Sequence, residues 1–136
     1  MQPTASHPFF EQTVQVGRGE LDERNHVNNV VYVRWVQEIA IAHWRAIALP
    51  QDQEAVAWVV MRHEIDYLSP ALEGDEVILR TWVGKAQKLA FERFTEIVNA
   101  STDAVLARGR SLWCPVAPTS RRPTRVSPEV RKRFSV

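Results

Sequence analysis

Between Asp22 and Asn29 the sequence reads "DERNHVNN", two acids, an arginine, a histidine and three asparagines within eight residues. This combination can carry acyl transfer. A carboxylate such as Asp22 can take a proton from water, or attack a carbonyl carbon itself. The first backbone amides of a helix lack intrahelical partners and sit at the positive end of its dipole, so they can hold an oxyanion. On this reading Asp22 is the base or nucleophile, and the amides of Asn28 to Val30 bind the oxyanion. His26 and Asn29 then orient the groups around the carbonyl. A plainer account is equally available, because Asp22 and Asn28 are also ordinary turn and N-cap residues. Spacing alone leaves both open.

Positioning such a group requires a helix directly after it, and the sequence supplies one. Tyr32, Trp35, Val36, Ile39, His43 and Ile47 recur every three or four residues, which predicts an amphipathic helix from Asn29 to Leu49, stopped by Pro50. Before it, Phe10, Val14 and Val16 predict a strand over 9–18. After it, four strands are predicted over 54–68, 76–84, 89–99 and 104–116, joined by "SPALEGD", "KAQK" and "ASTD". Turns this short require antiparallel neighbours. The order predicts an α+β domain, one sheet curling around one long helix. Its uncovered edges call for a second copy of the chain, a homodimer or homotetramer.

The 136 residues make one domain, 1–136, with a basic C-terminal tail at 118–136. Hydrophobic residues are 45%, charged residues 24% and mean hydropathy −0.26. The longest apolar run, Ala55 to Met61, is too short to span a bilayer, so no membrane role is expected. The opening "MQPTASHPFFEQ" lacks the pattern of a signal peptide. The single cysteine, Cys114, excludes an intrachain disulfide and a cysteine-based metal cluster, and favours a reducing, cytoplasmic setting. Arg121 to Arg133 holds six basic residues against Glu129, but without interleaved aromatics or a nucleic-acid motif. The tail reads as a solvated end, some of which can also meet a phosphorylated ligand.

The segment "ELDERNHVNNVVYVRWVQEIA" resembles the hotdog-fold thioesterases of the 4-hydroxybenzoyl-CoA thioesterase class. In wording it is most similar to the plant fatty acyl-ACP thioesterases, which also carry an Asp, then His-Val-Asn-Asn, then a Tyr and a Trp. "VVMRHEIDYLSPALEGDEVILRTWV" and "RRPTRVSPEVRKRF" extend the resemblance over about residues 9 to 133. It implies a hotdog fold and hydrolysis of an acyl-CoA or acyl-ACP thioester in fatty-acid metabolism. It needs no metal and no cofactor, the coenzyme A or carrier-protein arm being part of the substrate. Asp22 matches the family's catalytic aspartate, and His26 the histidine proposed for the acyl-ACP branch. The sequence departs from the family twice. Asn29 stands where bacterial acyl-CoA members have a histidine, and Arg24 where the plant branch has an asparagine. Asp66 falls near a plant-branch catalytic glutamate, with Glu64 on the same strand face, so both are candidate substrate-binding residues. Tyr32 can line the acyl pocket or fill the core.

Other chemistry-bearing residues read more plainly. His43 and His63 lie on apolar faces, as core or interface histidines. Cys114 precedes Pro115 with no helix N-terminus to activate it. Lys88, Arg121 and Arg122 can meet coenzyme A phosphates or simply solvate loops. Two other functions remain compatible with these residues. A hydratase or dehydratase would act on the β-carbon, although the proline-containing signature of that group is missing from "DERNHVNN". A non-catalytic acyl-thioester-binding module would hold the substrate without releasing thiol.

Overall fold

The computed structural model describes residues 9–134. The N-terminal segment read as lacking a leader lies largely outside the described residues, as do the last two residues of the tail. The elements run β1 (Phe10–Gln15), a 3-10 turn (Arg18–Glu20), α1 (Asn29–Ile47), α2 (Pro50–Ala55), β2 (Ala57–Tyr67), β3 (Glu76–Gln87), β4 (Ala90–Asn99), β5 (Val105–Val116) and α3 (Pro128–Arg133). The strands form one antiparallel sheet in the order β1-β3-β4-β5-β2. The predicted α+β architecture is observed, with α1 lying across one face of the sheet.

Hydrophobic periodicity explains that placement. Tyr32, Trp35, Val36 and Ile39 are 2% exposed or less, and pack on Val77, Leu79, Ile97, Leu106 and Ala107 of the sheet. Ile47, the last residue of α1 on the same predicted stripe, is 37% exposed. His43 continues the buried face. Its ring stacks on Phe10, meets Phe134 edge-on, and its Nδ1 lies 2.9 Å from the Arg93 guanidinium.

Several boundaries differ from the sequence reading. β1 ends at Gln15, and the Val16 N–H leaves for Asp75 O at 2.9 Å. Pro50 does not merely stop α1. It opens α2, where its missing N–H is one a helix start does not use, so 54 and 55 are helical rather than strand. The "KAQK" turn shrinks, because β3 continues to Gln87 and Lys88 turns the chain at φ 45°. The tail is not simply a solvated end. Val126, Val130 and Phe134 are buried, and Phe134 stacks on Trp44, so α3 closes the C-terminal end of α1.

Burial gives His43 a measurable signature. Desolvation, and then the Arg93 charge, push its pKa down to about 3. The unfolded chain therefore binds a proton that the folded chain refuses between about pH 6.5 and pH 3. Stability is expected to fall as pH drops below about 6.5, by up to about 1.4 kcal/mol per pH unit from this group. Urea unfolding across that range should show the slope, and His43→Gln should flatten it.

Candidate active site

The chain between the 3-10 turn and α1 is held at both ends by backbone bonds. Leu21 bridges Val27, and His26 bridges Leu72. Val27 N–H donates to Ala71 O at 2.9 Å, and Asn28 N–H donates to Glu20 O at 2.9 Å. Within this clamp Asp22 begins a tight turn. Asn25 N–H donates to Asp22 O, Asp22 N–H donates to His26 O at 2.7 Å, and Asn25 takes φ 62°. Asparagine tolerates that left-handed conformation better than most side chains.

The Asp22 carboxylate organises the same turn. Its Oδ1 accepts from Arg24 N–H at 2.8 Å and from His26 N–H at 3.1 Å. These two bonds, that from His26 first, hold its pKa below the usual carboxylate value of 3.8. Asp22 is therefore ionised at neutral pH, and Oδ2 accepts no hydrogen bond among the described residues. The carboxylate combines a fixed orientation with one free oxygen.

Asp22, His26, Asn29 and Tyr32 line one cleft of about 240 Å³ with Val27, Tyr67, Leu68, Ser69 and Pro70. Tyr32 is both wall and core, since it is 2% exposed and its hydroxyl accepts from Ala71 N–H at 3.1 Å. That bond ties the first turn of α1 to the loop after β2. Tyr67 meets Tyr32 edge-on and forms the opposite wall.

The three amides expected to bind an oxyanion are not equivalent. Asn28 is the N-cap, and its Oδ1 accepts from Val30 N–H at 3.1 Å. Asn28 N–H is already spent on Glu20 O. Only Asn29 N–H, at the first position of α1, has no acceptor among the described residues. Asn28 and the 71% exposed side chain of Val30 do not line the cleft.

Glu64 and Asp66 also lie outside it. Alternation along β2 turns His63, Ile65 and Tyr67 toward α1 and sends Arg62, Glu64 and Asp66 to the other face. There Glu64 pairs with Arg62 at 3.0 Å and Arg110 at 3.3 Å. Lys88, Arg121 and Arg122 are equally absent from the cleft walls. Tyr67 and the Leu68–Pro70 wall were not anticipated. The signal was the period of two that sets Tyr67 on the side of His63 and Ile65. Among the described residues no group of three or more His, Cys, Asp or Glu side chains could hold a metal ion. No described helix is long and apolar enough to cross a membrane.

A family model described as the thioesterase-like superfamily matches residues 16–134, which include the clamp, the cleft and the whole sheet beyond β1. The chain belongs to this superfamily. Among curated proteins of the same kind, it is 24% identical over 132 residues to acyl-[acyl-carrier-protein] hydrolase FATB2 of Cuphea viscosissima. That match covers 90% of this chain and 32% of the relative. It is likewise 25% identical over 131 residues to a palmitoyl-acyl carrier protein thioesterase of Gossypium hirsutum, again covering 90% and 32%. The chain thus spans about a third of the length of these relatives. Among solved structures, a 1,4-dihydroxy-2-naphthoyl-CoA thioesterase from Synechocystis superposes with TM-score 0.81 at 18% identity, covering 94% of this chain and 96% of that one. The 12:0-ACP thioesterase from Umbellularia californica gives 0.78 at 19%, covering 93% and 49%. At these identities the structural likeness shows the fold, which is the hotdog fold of the superfamily.

The Asn28 cap gives this site a direct test. Asn28→Ala removes the acceptor from Val30 N–H and is expected to cost about 1 kcal/mol, read as a lower urea midpoint. An unchanged midpoint would mean that the cap contributes nothing to the helix start.

Proposed function

We propose that this chain hydrolyses an acyl thioester, of coenzyme A or of acyl carrier protein, to a free acid and a thiol. One observation carries the reading, an ionised Asp22 with a free Oδ2 on the same cleft as the unclaimed Asn29 N–H. Asp22 takes a proton from a water as its oxygen bonds to the thioester carbonyl carbon. The carbonyl oxygen becomes an oxyanion, to which Asn29 N–H donates at the positive end of α1. Collapse breaks the C–S bond. The departing sulfur recovers the proton from the Asp22 carboxyl, directly or through His26, which restores the starting state. Direct attack by Oδ2, through an anhydride that water opens, begins from the same ionised oxygen and gives the same products. Both chemistries use the chain's own groups, with the thiol arm as substrate. The superfamily and the names of its relatives support thioesters as the substrate class. The single cysteine, Cys114, is buried and free, which fits a reducing, cytoplasmic setting.

Asp22→Asn separates chemistry from architecture better than Asp22→Ala. An asparagine oxygen still accepts the Arg24 and His26 amides, while the base is gone. Thiol release from acyl-CoA should fall about 10²- to 10⁴-fold with an unchanged melting temperature. Undiminished release would remove Asp22 from its role.

The working unit is proposed to be a homo-oligomer. Among the described residues β2 bonds only to β5, which leaves its other edge open, and Val59, Met61 and Tyr67 are 49%, 52% and 44% exposed along it. Leu68 and Leu72 extend this apolar surface beside the cleft. A second copy would cover the edge and wall off Asp22 from bulk water. Light scattering should give at least twice the chain mass of 15.6 kDa; a monomer at working concentration would contradict it.

A further inference from the structure

A second cavity, larger than the Asp22 cleft, lies elsewhere in the described residues. It holds about 420 Å³ at the other end of α1, between Ala40, Ile41 and Trp44 of the helix, the near ends of the strands, and α3. Its apolar walls are Trp44, Trp58, Phe91, Trp113 and Phe134. Position 44 lies about 20 Å along the helix axis from Asn29. The two sites are therefore separate within one chain.

This cavity has a charge without a counter-charge. Arg93 lines it, and its Nη1 reaches only His43 Nδ1 at 2.9 Å and Thr81 Oγ1 at 3.1 Å. No carboxylate lies within 4.0 Å of Arg93 among the described residues. His43 offers no negative charge, and burial keeps it neutral. Arg93, lowered to about 10 by burial, remains cationic at neutral pH. The other groups packed around it are Thr81, Thr95 and Ser111, all neutral. Glu92 is the one acid on the lining, and its carboxylate is committed to Arg110 at 2.6 Å. Arg45 and Arg131 add two more cations, the second lying over the Phe91 ring. The indole N–H groups of Trp58 and Trp113, buried within the wall, have no acceptors among the described residues either. Donors and positive charge exceed acceptors throughout, and a half-buried guanidinium without an anionic partner is poorly compensated.

We propose that this cavity binds an apolar carboxylic acid in its carboxylate form, the carboxylate on Arg93 and the hydrocarbon body among the tryptophans and Phe91. The occupant supplies the missing anion, and its apolar body matches the walls. A cavity of this volume lies in the range of small-molecule sites. A phosphate would satisfy the charge but waste the aromatic walls, and an uncharged lipid would leave Arg93 unpaired.

Tryptophan fluorescence reads the cavity directly, because Trp44, Trp58 and Trp113 line it. Full-length protein titrated with decanoate should saturate, at least about tenfold tighter than with decanamide, its uncharged counterpart. Arg93→Met should abolish the preference and Arg93→Lys should keep most of it. Asp22→Asn should bind decanoate as the unaltered protein does, so a failure of the hydrolase reading leaves this result standing. Equal affinity for decanoate and decanamide in the unaltered protein, or no saturation with either, would overturn the proposal whether or not the variants fold.

Discussion

Burial of a single helix face against a sheet is the constraint from which the rest of this molecule follows. Tyr32, Trp35, Val36 and Ile39 can leave water only by lying on Val77, Leu79, Ile97 and Ala107. Once they do, the two ends of α1 have fixed positions. The N-terminal end meets the loop after β2, where Tyr32 bonds Ala71. The C-terminal end overhangs the start of β2 and is closed by α3. Each end is therefore a boundary between packed core and open space, and each holds polar groups that the core does not satisfy.

The two ends use opposite electrostatics. At the first, a carboxylate is stabilised by amides of its own turn and shares a cleft with the residue whose amide the helix start leaves open. At the second, a guanidinium sits among aromatic rings with neutral partners. The remaining face of the sheet carries several further acids, each paired. Glu96, only 5% exposed, pairs with Arg80 and Arg108, and Arg110 joins Glu64 to Glu92. These charges cross between neighbouring strands and hold that face by mutual pairing. Acids so engaged are poor bases, which is why Glu64 belongs to the sheet and not to the cleft.

Much of the fold could be read from periodicity. The three-and-four spacing from Tyr32 to His43 and the alternation from His63 to Tyr67, past the irregularity between Val60 and Arg62, are local consequences of helix and strand geometry, so one chain segment reveals them. Boundaries were less legible. Pro50 both ends one helix and begins the next, and Lys88 turns the chain without glycine or proline. Those outcomes depend on what packs nearby. At the site, Asp22 and Asn28 were visible as polar residues before a helix, but as turn and cap residues they looked the same as catalytic ones.

By itself, the sequence determined the strands, the one long helix among them, and the concentration of hydrogen-bonding side chains at that helix's start. These depend on residues a few positions apart. Only the tertiary structure decided which amide stays open, which acids turn away, and that Arg93 meets no carboxylate among the described residues. Each of those depends on partners brought together from distant segments, such as Glu20 with Asn28, Glu64 with Arg110, or His43 with Arg93. Whether a polar group is satisfied is a property of its packed neighbourhood, and no spacing along the chain records it.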